Sequence, residues 1–193
     1  MSLDLNLHSK QYEFMRKAMN NRYTVFVGGV GSGKTHAGAK YALAMTQRSP
    51  GMTGLIAAQT SPMLRDVIIP EFEKVLPSNL LVDYNKMEQK MRIKTYNGDE
   101  STILFRSLYD RRKIDRIRGL TINWAWFDEI TYIDEYAFEV CQGRLREGDN
   151  QRFIGTGTPK GFDWVYDRFV DGNDDNEEYA SVLRVSTDNN PYL

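Results

Sequence analysis

The chain has 193 residues, 41% hydrophobic and 26% charged, a balance ordinary for a globular fold and a length sufficient to bury a core. A formal net charge of −1 excludes a generally basic nucleic-acid coat, and no apolar run approaches the ~20 residues that span a bilayer. A single cysteine, Cys141, excludes an internal disulfide, fits a reducing compartment and, with two histidines, argues against a zinc site. The first ten residues hold no long apolar segment, so neither a secretory signal nor a membrane partner is expected.

The first predicted helix is capped by Ser9, with Tyr12, Met15 and Met19 on one face, and ends at Asn20-Asn21. Tyr23-Thr24-Val25-Phe26-Val27 is short, β-branched and aromatic, and reads as a buried strand. An alanine-rich helix runs from Lys34 to about Gln47. Leu55 to Ala58 is a second buried strand, and Ser61-Pro62 opens a helix to about Leu76, with a kink expected at Pro70. Arg92–Thr95 and Thr102–Phe105 flank Asn97-Gly98 and predict a hairpin, whose loop can exceed two residues. Trp124–Phe127 is the next buried strand, Tyr136–Arg144 a helix, Arg152–Ile154 a strand and Phe162–Val170 a helix. An acidic loop follows from Asp171 to Glu178, and Ser181–Val185 closes as a last strand. Buried strands alternating with helices imply a mainly parallel α/β sheet covered on both faces, with ligands at the carboxyl ends of its strands.

Between the first strand and the second helix lies Gly28-Gly29-Val30-Gly31-Ser32-Gly33-Lys34-Thr35. It fits G-x-x-x-x-G-K-[ST] in the strand–loop–helix context that this phosphate-binding pattern needs. Glycines let the backbone approach an anion closely, and the N–H groups and dipole at the helix start favour negative charge. Lys34 is expected to bridge the β- and γ-phosphates of a nucleotide, and Thr35 to hold Mg²⁺ through its hydroxyl. A flexible glycine turn before an ordinary helix would need neither the lysine nor the threonine.

The strand Trp124-Ala125-Trp126-Phe127 ends in Asp128-Glu129. Asp128 is expected in the Mg²⁺ shell, and Glu129 as the general base that polarises the attacking water. Signalling GTPases usually follow their metal aspartate with a glycine, whereas Ile130 and Thr131 follow this pair. Asn85-Lys86-Met87-Glu88 has only a superficial likeness to a guanine-specificity motif. An adjacent glutamate marks the P-loop branch that hydrolyses ATP for mechanical work. Gly155-Thr156-Gly157-Thr158-Pro159-Lys160-Gly161, read as a loop after the strand Arg152–Ile154, places hydroxyls where loss of the γ-phosphate can be felt. A plain strand-to-helix turn would account for the glycines and proline but not for both Thr156 and Thr158. Gln11, on the first helix, carries a carboxamide able to read adenine, although a surface glutamine is the simpler account. The run from Arg111 to Arg118 is a basic patch, readable either as a solvated face or as a grip on phosphates.

In order along the chain, Gln11, Gly28–Thr35, Ala57-Ala58-Gln59-Thr60, Arg118-Gly119-Leu120-Thr121, the acidic strand, Arg144-Leu145-Arg146 and Thr156–Gly161 resemble the ATPase domain of phage terminase large subunits. The likeness covers about Gln11 to Leu193. It implies a RecA-like P-loop NTPase fold with a β-hairpin insertion, ATP and Mg²⁺ as ligands, and a motor that drives double-stranded DNA into a procapsid. The partners implied are the portal protein, a small terminase subunit and further copies in a ring of five, the isolated domain being a monomer, all in the host cytoplasm during virus assembly. Carried over, Thr156, Gly157 and Thr158 couple hydrolysis to movement. Arg118 stands where some members place an arginine that reaches the neighbouring subunit's site, with DNA contact, or a finger at Arg144 or Arg146, as alternatives. Val30 replaces the arginine that some terminases carry in the phosphate loop. Residues 1–193 are expected to be one ATPase domain without the nuclease domain, and Asp171, Asp174 and Asp175 are not expected to be nuclease ligands. The competing readings are the first motor domain of a helicase-like nucleic-acid translocase and a nucleotide-gated switch.

Overall fold

The computed structural model describes residues 7–161, 163–171 and 178–185, with side chains described as far as Tyr179. Eight strands form one sheet in the order β3-β4-β5-β2-β6-β7-β1-β8. The strands are β1 (Tyr23–Gly28), β2 (Thr53–Ala58), β3 (Leu81–Asn85), β4 (Lys90–Lys94), β5 (Glu100–Ser107), β6 (Trp124–Asp128), β7 (Arg152–Gly157) and β8 (Tyr179–Val185). From β5 to β8 every pairing is parallel, and only β3–β4 and β4–β5 are antiparallel. The expected α/β architecture with a hairpin insertion is therefore present.

Period-2 alternation divides the core in two. Phe26, Ile56, Trp126 and Ile154 face α1 (Ser9–Asn20) and α2 (Lys34–Arg48), burying Phe14, Tyr41 and Leu43. Val25, Leu55, Phe127 and Phe153 face the opposite layer, where α6 (Glu135–Gln142) buries Phe138 and Cys141. Cys141 is thus a small buried hydrophobe of this layer. Among the described residues no helix is long and apolar enough to cross a membrane.

Several boundaries differ from the sequence expectation. His8, not Ser9, is the residue before α1, because Gln11 Oε1 accepts the His8 N–H at 3.3 Å and closes the first turn there. The Ser61-Pro62 helix begins as Ser61–Met63 (α3), capped by Thr60, and reaches Ile69–Val75 (α4) through a π-turn over Leu64–Ile68. Pro70 lacks the N–H that an α-helix would direct at residue 66, and the wider turn, with Ile69 N–H donating to Leu64 O, absorbs the fault. The hairpin loop spans residues 95–99, and Thr95 accepts and donates across it. β3 has no counterpart in the sequence reading, because its exposed Leu81-Val82-Asp83 lacks the alternation of a half-buried strand. Asn85 Oδ1 accepts from the N–H groups of Met87 and Glu88, so Asn85–Glu88 is the β3–β4 turn.

The last predicted helix begins at Trp164, with Asp163 as its cap (α7, Trp164–Tyr166), and continues as a π-turn over Asp167–Asp171. Phe162, Asp174 and Asp175 lie outside the described residues. The largest correction concerns residues 155–157. They are not loop but the end of β7, because parallel pairing with β6 carries the strand to Thr156 and pairing with β1 carries it on to Gly157.

Candidate active site

The phosphate loop joins β1 to α2, and two of its glycines make the turn. Gly31 has φ +77° and Gly33 φ +79°, in the left-handed region that side chains other than glycine rarely adopt. At Gly33 a Cβ would also stand 2.7 Å from Gln11 Nε2 and displace that amide. The loop is braced from α1: Gln11 Nε2 donates to Gly33 O at 2.9 Å, and His8 Nε2 lies 3.3 Å from Ser32 O. Gln11 is buried, its Nε2 engaged by the loop and its Oε1 by the His8 N–H at the start of α1. His8 was missed in the sequence, where nothing local marks it as a neighbour of residues 32 and 33.

Lys34 opens α2, and its Nζ donates to Gly29 O at 2.8 Å, folding the side chain back across the loop. Burial lowers its pKa below the ordinary lysine range, and the charges of Glu129 and Asp128 act in the opposite direction. Thr35, one residue on, donates through Oγ1 to Asp128, 3.3 Å from Oδ1 and 3.4 Å from Oδ2. Glycine loop and acidic strand therefore meet, although 93 residues separate Thr35 from Asp128.

β7 lies between β1 and β6, so Thr156 sits between the loop's strand and the acidic strand. Asp128 pairs in register with Thr156, which puts both side chains on the α2 face. Thr156 Oγ1 donates to Asp128 Oδ1 at 2.5 Å and accepts from Trp126 Nε1 at 2.8 Å. Beyond the strand, Thr158 holds the other carboxylate: its N–H reaches Glu129 Oε2 at 3.1 Å and its hydroxyl Oε1 at 3.4 Å. Glu129 adopts φ +49°, ψ +47°, a left-handed turn unusual outside glycine that bends the chain as β6 ends. Thr131 Oγ1 donates to Thr158 O at 3.0 Å and ties the two loops a second time.

Burial pushes Asp128 up to about 6; the Glu129 charge adds to this, while the Thr156 and Thr35 hydroxyls and Lys34 oppose it. Its carboxylate accepts from the hydroxyls of Thr35 and Thr156, an all-oxygen set of the kind that suits Mg²⁺. A carboxyl with a raised folded pKa binds protons more tightly folded than unfolded. Its burial is therefore tolerated below about pH 4, costs more as pH rises to about 6, and costs most above that. Asp128→Asn is accordingly expected to stabilise the nucleotide-free protein at pH 7 by roughly 1–3 kcal/mol and to flatten its stability between about pH 4 and 6. Urea midpoints across that range check this, and destabilisation at pH 7 would contradict it.

The arginines have partners of their own. Arg118 closes the 3₁₀ turn Arg116–Gly119 after α5 (Arg111–Asp115), with its side chain 57% exposed. Its Nε donates to Asp115 at 2.8 Å and its Nη2 to the Tyr136 hydroxyl, while Arg111 stacks on the same ring at 4.6 Å. Arg144 donates to Arg118 O and exposed Arg146 to Thr121 Oγ1. The structure thus gathers Lys34, Thr35, Asp128, Glu129, Thr156 and Thr158 in one place, whereas these hydrogen bonds of Arg118, Arg144 and Arg146 go to Asp115, Tyr136, Arg118 O and Thr121.

A glycine loop with a Lys-Thr helix start, facing a strand-borne Asp-Glu pair on a mostly parallel sheet, defines a P-loop NTPase of the RecA-like class. Within that class the sequence family of phage terminase large subunits matches residues 20–193, and the chain belongs to it. Among solved structures it is similar to the large terminase of a thermophilic bacteriophage, at 19% identity and TM-score 0.84 over 96% of this chain and 47% of that one. The Thermus phage P74-26 large terminase ATPase domain aligns at 18% identity and TM-score 0.70, over 93% and 81%. The Pyrococcus furiosus Hef helicase domain aligns at 18% and 0.61, over 98% and 40%. At such identities these likenesses speak for the fold. The chain spans about half the length of the thermophilic phage's large terminase, and no curated protein matches it by sequence.

Proposed function

We propose that this chain is the ATP-hydrolysing motor of a phage DNA-packaging machine, coupling each hydrolysis to translocation of double-stranded DNA into a procapsid. The observation that carries this reading is the pair of ties from one strand end, Thr156 to Asp128 and Thr158 to Glu129. They link the candidate metal ligand and the candidate base to the segment that leaves the site. Family membership supports the packaging role, and the large terminase of the thermophilic bacteriophage has been solved with ADP and with ATP-γ-S.

In this reading the loop N–H groups and Lys34 bind the β- and γ-phosphates of ATP, Lys34 exchanging its bond to Gly29 O for phosphate oxygens. Mg²⁺, held by Thr35 and Asp128, would offset the phosphate charge. Glu129 takes the proton of the attacking water, and its release from Thr158 passes the chemical state to the chain beyond β7. Gln11 acts through the loop it braces, and turning outward to adenine would cost it the bonds to Gly33 and His8. Arg118 serves a neighbouring copy, its guanidinium being exposed and held by Asp115 and the Tyr136 hydroxyl rather than by Asp128 or Glu129. The motor works as a ring of five on the portal protein, with a small terminase subunit delivering DNA, in the host cytoplasm.

Lys34→Ala is expected to weaken ATP binding by at least about tenfold, since it removes the charge facing two phosphates. Titration of a fluorescent ATP analogue checks this, and unchanged affinity would remove the phosphate-loop assignment. The helicase-like alternative rests on weaker likenesses, to Hef at TM-score 0.61 and to the phage T4 UvsW helicase at 0.56. ATP-driven strand separation without packaging activity would favour it.

A further inference from the structure

Trp126 lies two residues before Asp128, and alternation along β6 sends both side chains to the face that α2 covers. Its ring is fully buried, and its Nε1–H donates to Thr156 Oγ1 at 2.8 Å. An indole nitrogen donates only. The bond therefore takes a lone pair of the Thr156 hydroxyl and leaves that hydroxyl's proton for Asp128 Oδ1, 2.5 Å away. Both bonds run in one direction, from indole to hydroxyl to carboxylate.

The ring also lies against the phosphate-loop helix. A Cβ at Gly38 would stand 2.2 Å from Trp126 Cε2 and 2.5 Å from Nε1, so only glycine lets the indole lie against α2. Glycine is the poorest choice inside a helix short of proline, and here it makes the notch that the indole fills. Thr35 lies in the first turn of the same helix, three residues earlier, and donates to the same carboxylate. One side chain thus touches the helix that carries one hydroxyl and hydrogen-bonds the other.

We propose that Trp126 is a positioning residue of the hydrolysis site, orienting the Thr156 hydroxyl and through it the Asp128 carboxylate that holds Mg²⁺ with Thr35. The inference rests on the metal role given to Asp128 under the proposed function. Partners that orient a metal-holding carboxylate typically contribute about 10–100-fold to metal affinity.

The test uses the whole chain. Replacing Trp126 by 3-benzothienylalanine keeps a bicyclic ring in the Gly38 notch and removes only the N–H. Trp126→Phe removes the N–H together with some volume. Trp124→Phe is the packing control, because Trp124 is equally buried in the same strand and fills the comparable notch at Gly54. The quantity to read is the Mg²⁺ concentration that half-saturates the gain in ADP affinity, beside ADP affinity in EDTA and the thermal midpoint.

Both Trp126 variants are expected to need about tenfold more Mg²⁺, with affinity in EDTA within about twofold of the unsubstituted protein. Trp124→Phe is expected to lower the thermal midpoint and leave the Mg²⁺ requirement alone. A Mg²⁺ midpoint within about twofold for the benzothienyl variant overturns the proposal, and so does an equal shift in Trp124→Phe. If Mg²⁺ does not raise ADP affinity in the unsubstituted protein, the metal role of Asp128 fails first and this inference falls with it.

Discussion

Glu129→Gln is expected to lower ATP turnover by about 10²–10⁴-fold while leaving ATP affinity within about threefold. The two effects separate because the substitution is nearly isosteric. A carboxamide oxygen still accepts the Thr158 N–H that now meets Glu129 Oε2 at 3.1 Å, so the left-handed turn at residue 129 keeps its anchor. What the amide cannot do is take a proton from water. Binding is carried by the loop and Lys34, which the change does not touch. Phosphate release and equilibrium ATP binding, measured on the same preparation, check both halves. Unchanged turnover would remove Glu129 as the base. Loss of binding as well would show the residue holding the site together instead.

Arg118→Ala is expected to reduce turnover of the assembled protein by about 10³–10⁵-fold, the range seen when an arginine that stabilises the transferring phosphoryl group is lost. Arg118 is exposed, yet it is not loose: Asp115 and the Tyr136 hydroxyl hold its guanidinium, and Arg111 packs on the same ring. An exposed ion pair contributes little to stability, so the substitution is expected to leave folding almost unchanged. The informative experiment mixes Arg118→Ala subunits with Glu129→Gln subunits. In a mixed ring an Arg118→Ala subunit keeps its own Glu129 and can receive the arginine of a Glu129→Gln neighbour. Partial recovery of turnover is expected. No recovery in a mixture shown to co-assemble would exclude action across the interface, and Arg144 and Arg146, which bond the same 118–121 segment, would be the next to test.

The core of the candidate site was legible because its signals are local. Gly28–Thr35 carries its own strand and helix on either side, and Asp128-Glu129 ends an unmistakably buried strand. The meeting of Thr35 with Asp128 follows from the rule that parallel α/β sheets collect their sites at strand ends. Thr156 was expected near the phosphates, but as part of a loop. Gly155 and Gly157 disfavour a strand and mask the preference of Thr156, and pairing with one strand on each side makes the segment one. β3 was missed for a related reason, because an exposed edge strand lacks the alternation that burial imposes. The sequence predicts a kink at Pro70, whereas the structure carries the chain past it through a π-turn over Leu64–Ile68 that no local signal announces.

By itself the sequence determined the chemical groups and their order: phosphate loop, acidic strand, threonine pair and basic run. Residue type and short-range spacing suffice for these, because glycine dihedrals, helix starts and strand periodicity are properties of a few neighbouring residues. Only the tertiary structure decided which groups touch. Gln11 braces the loop, Thr156 and Thr158 take one carboxylate each, Trp126 bonds Thr156 and fills the notch at Gly38, and Arg118 sits on Tyr136. Each of these contacts joins residues distant in the chain, and each depends on strand order and register. Those are set by burying two faces of one sheet together, and no local signal carries them.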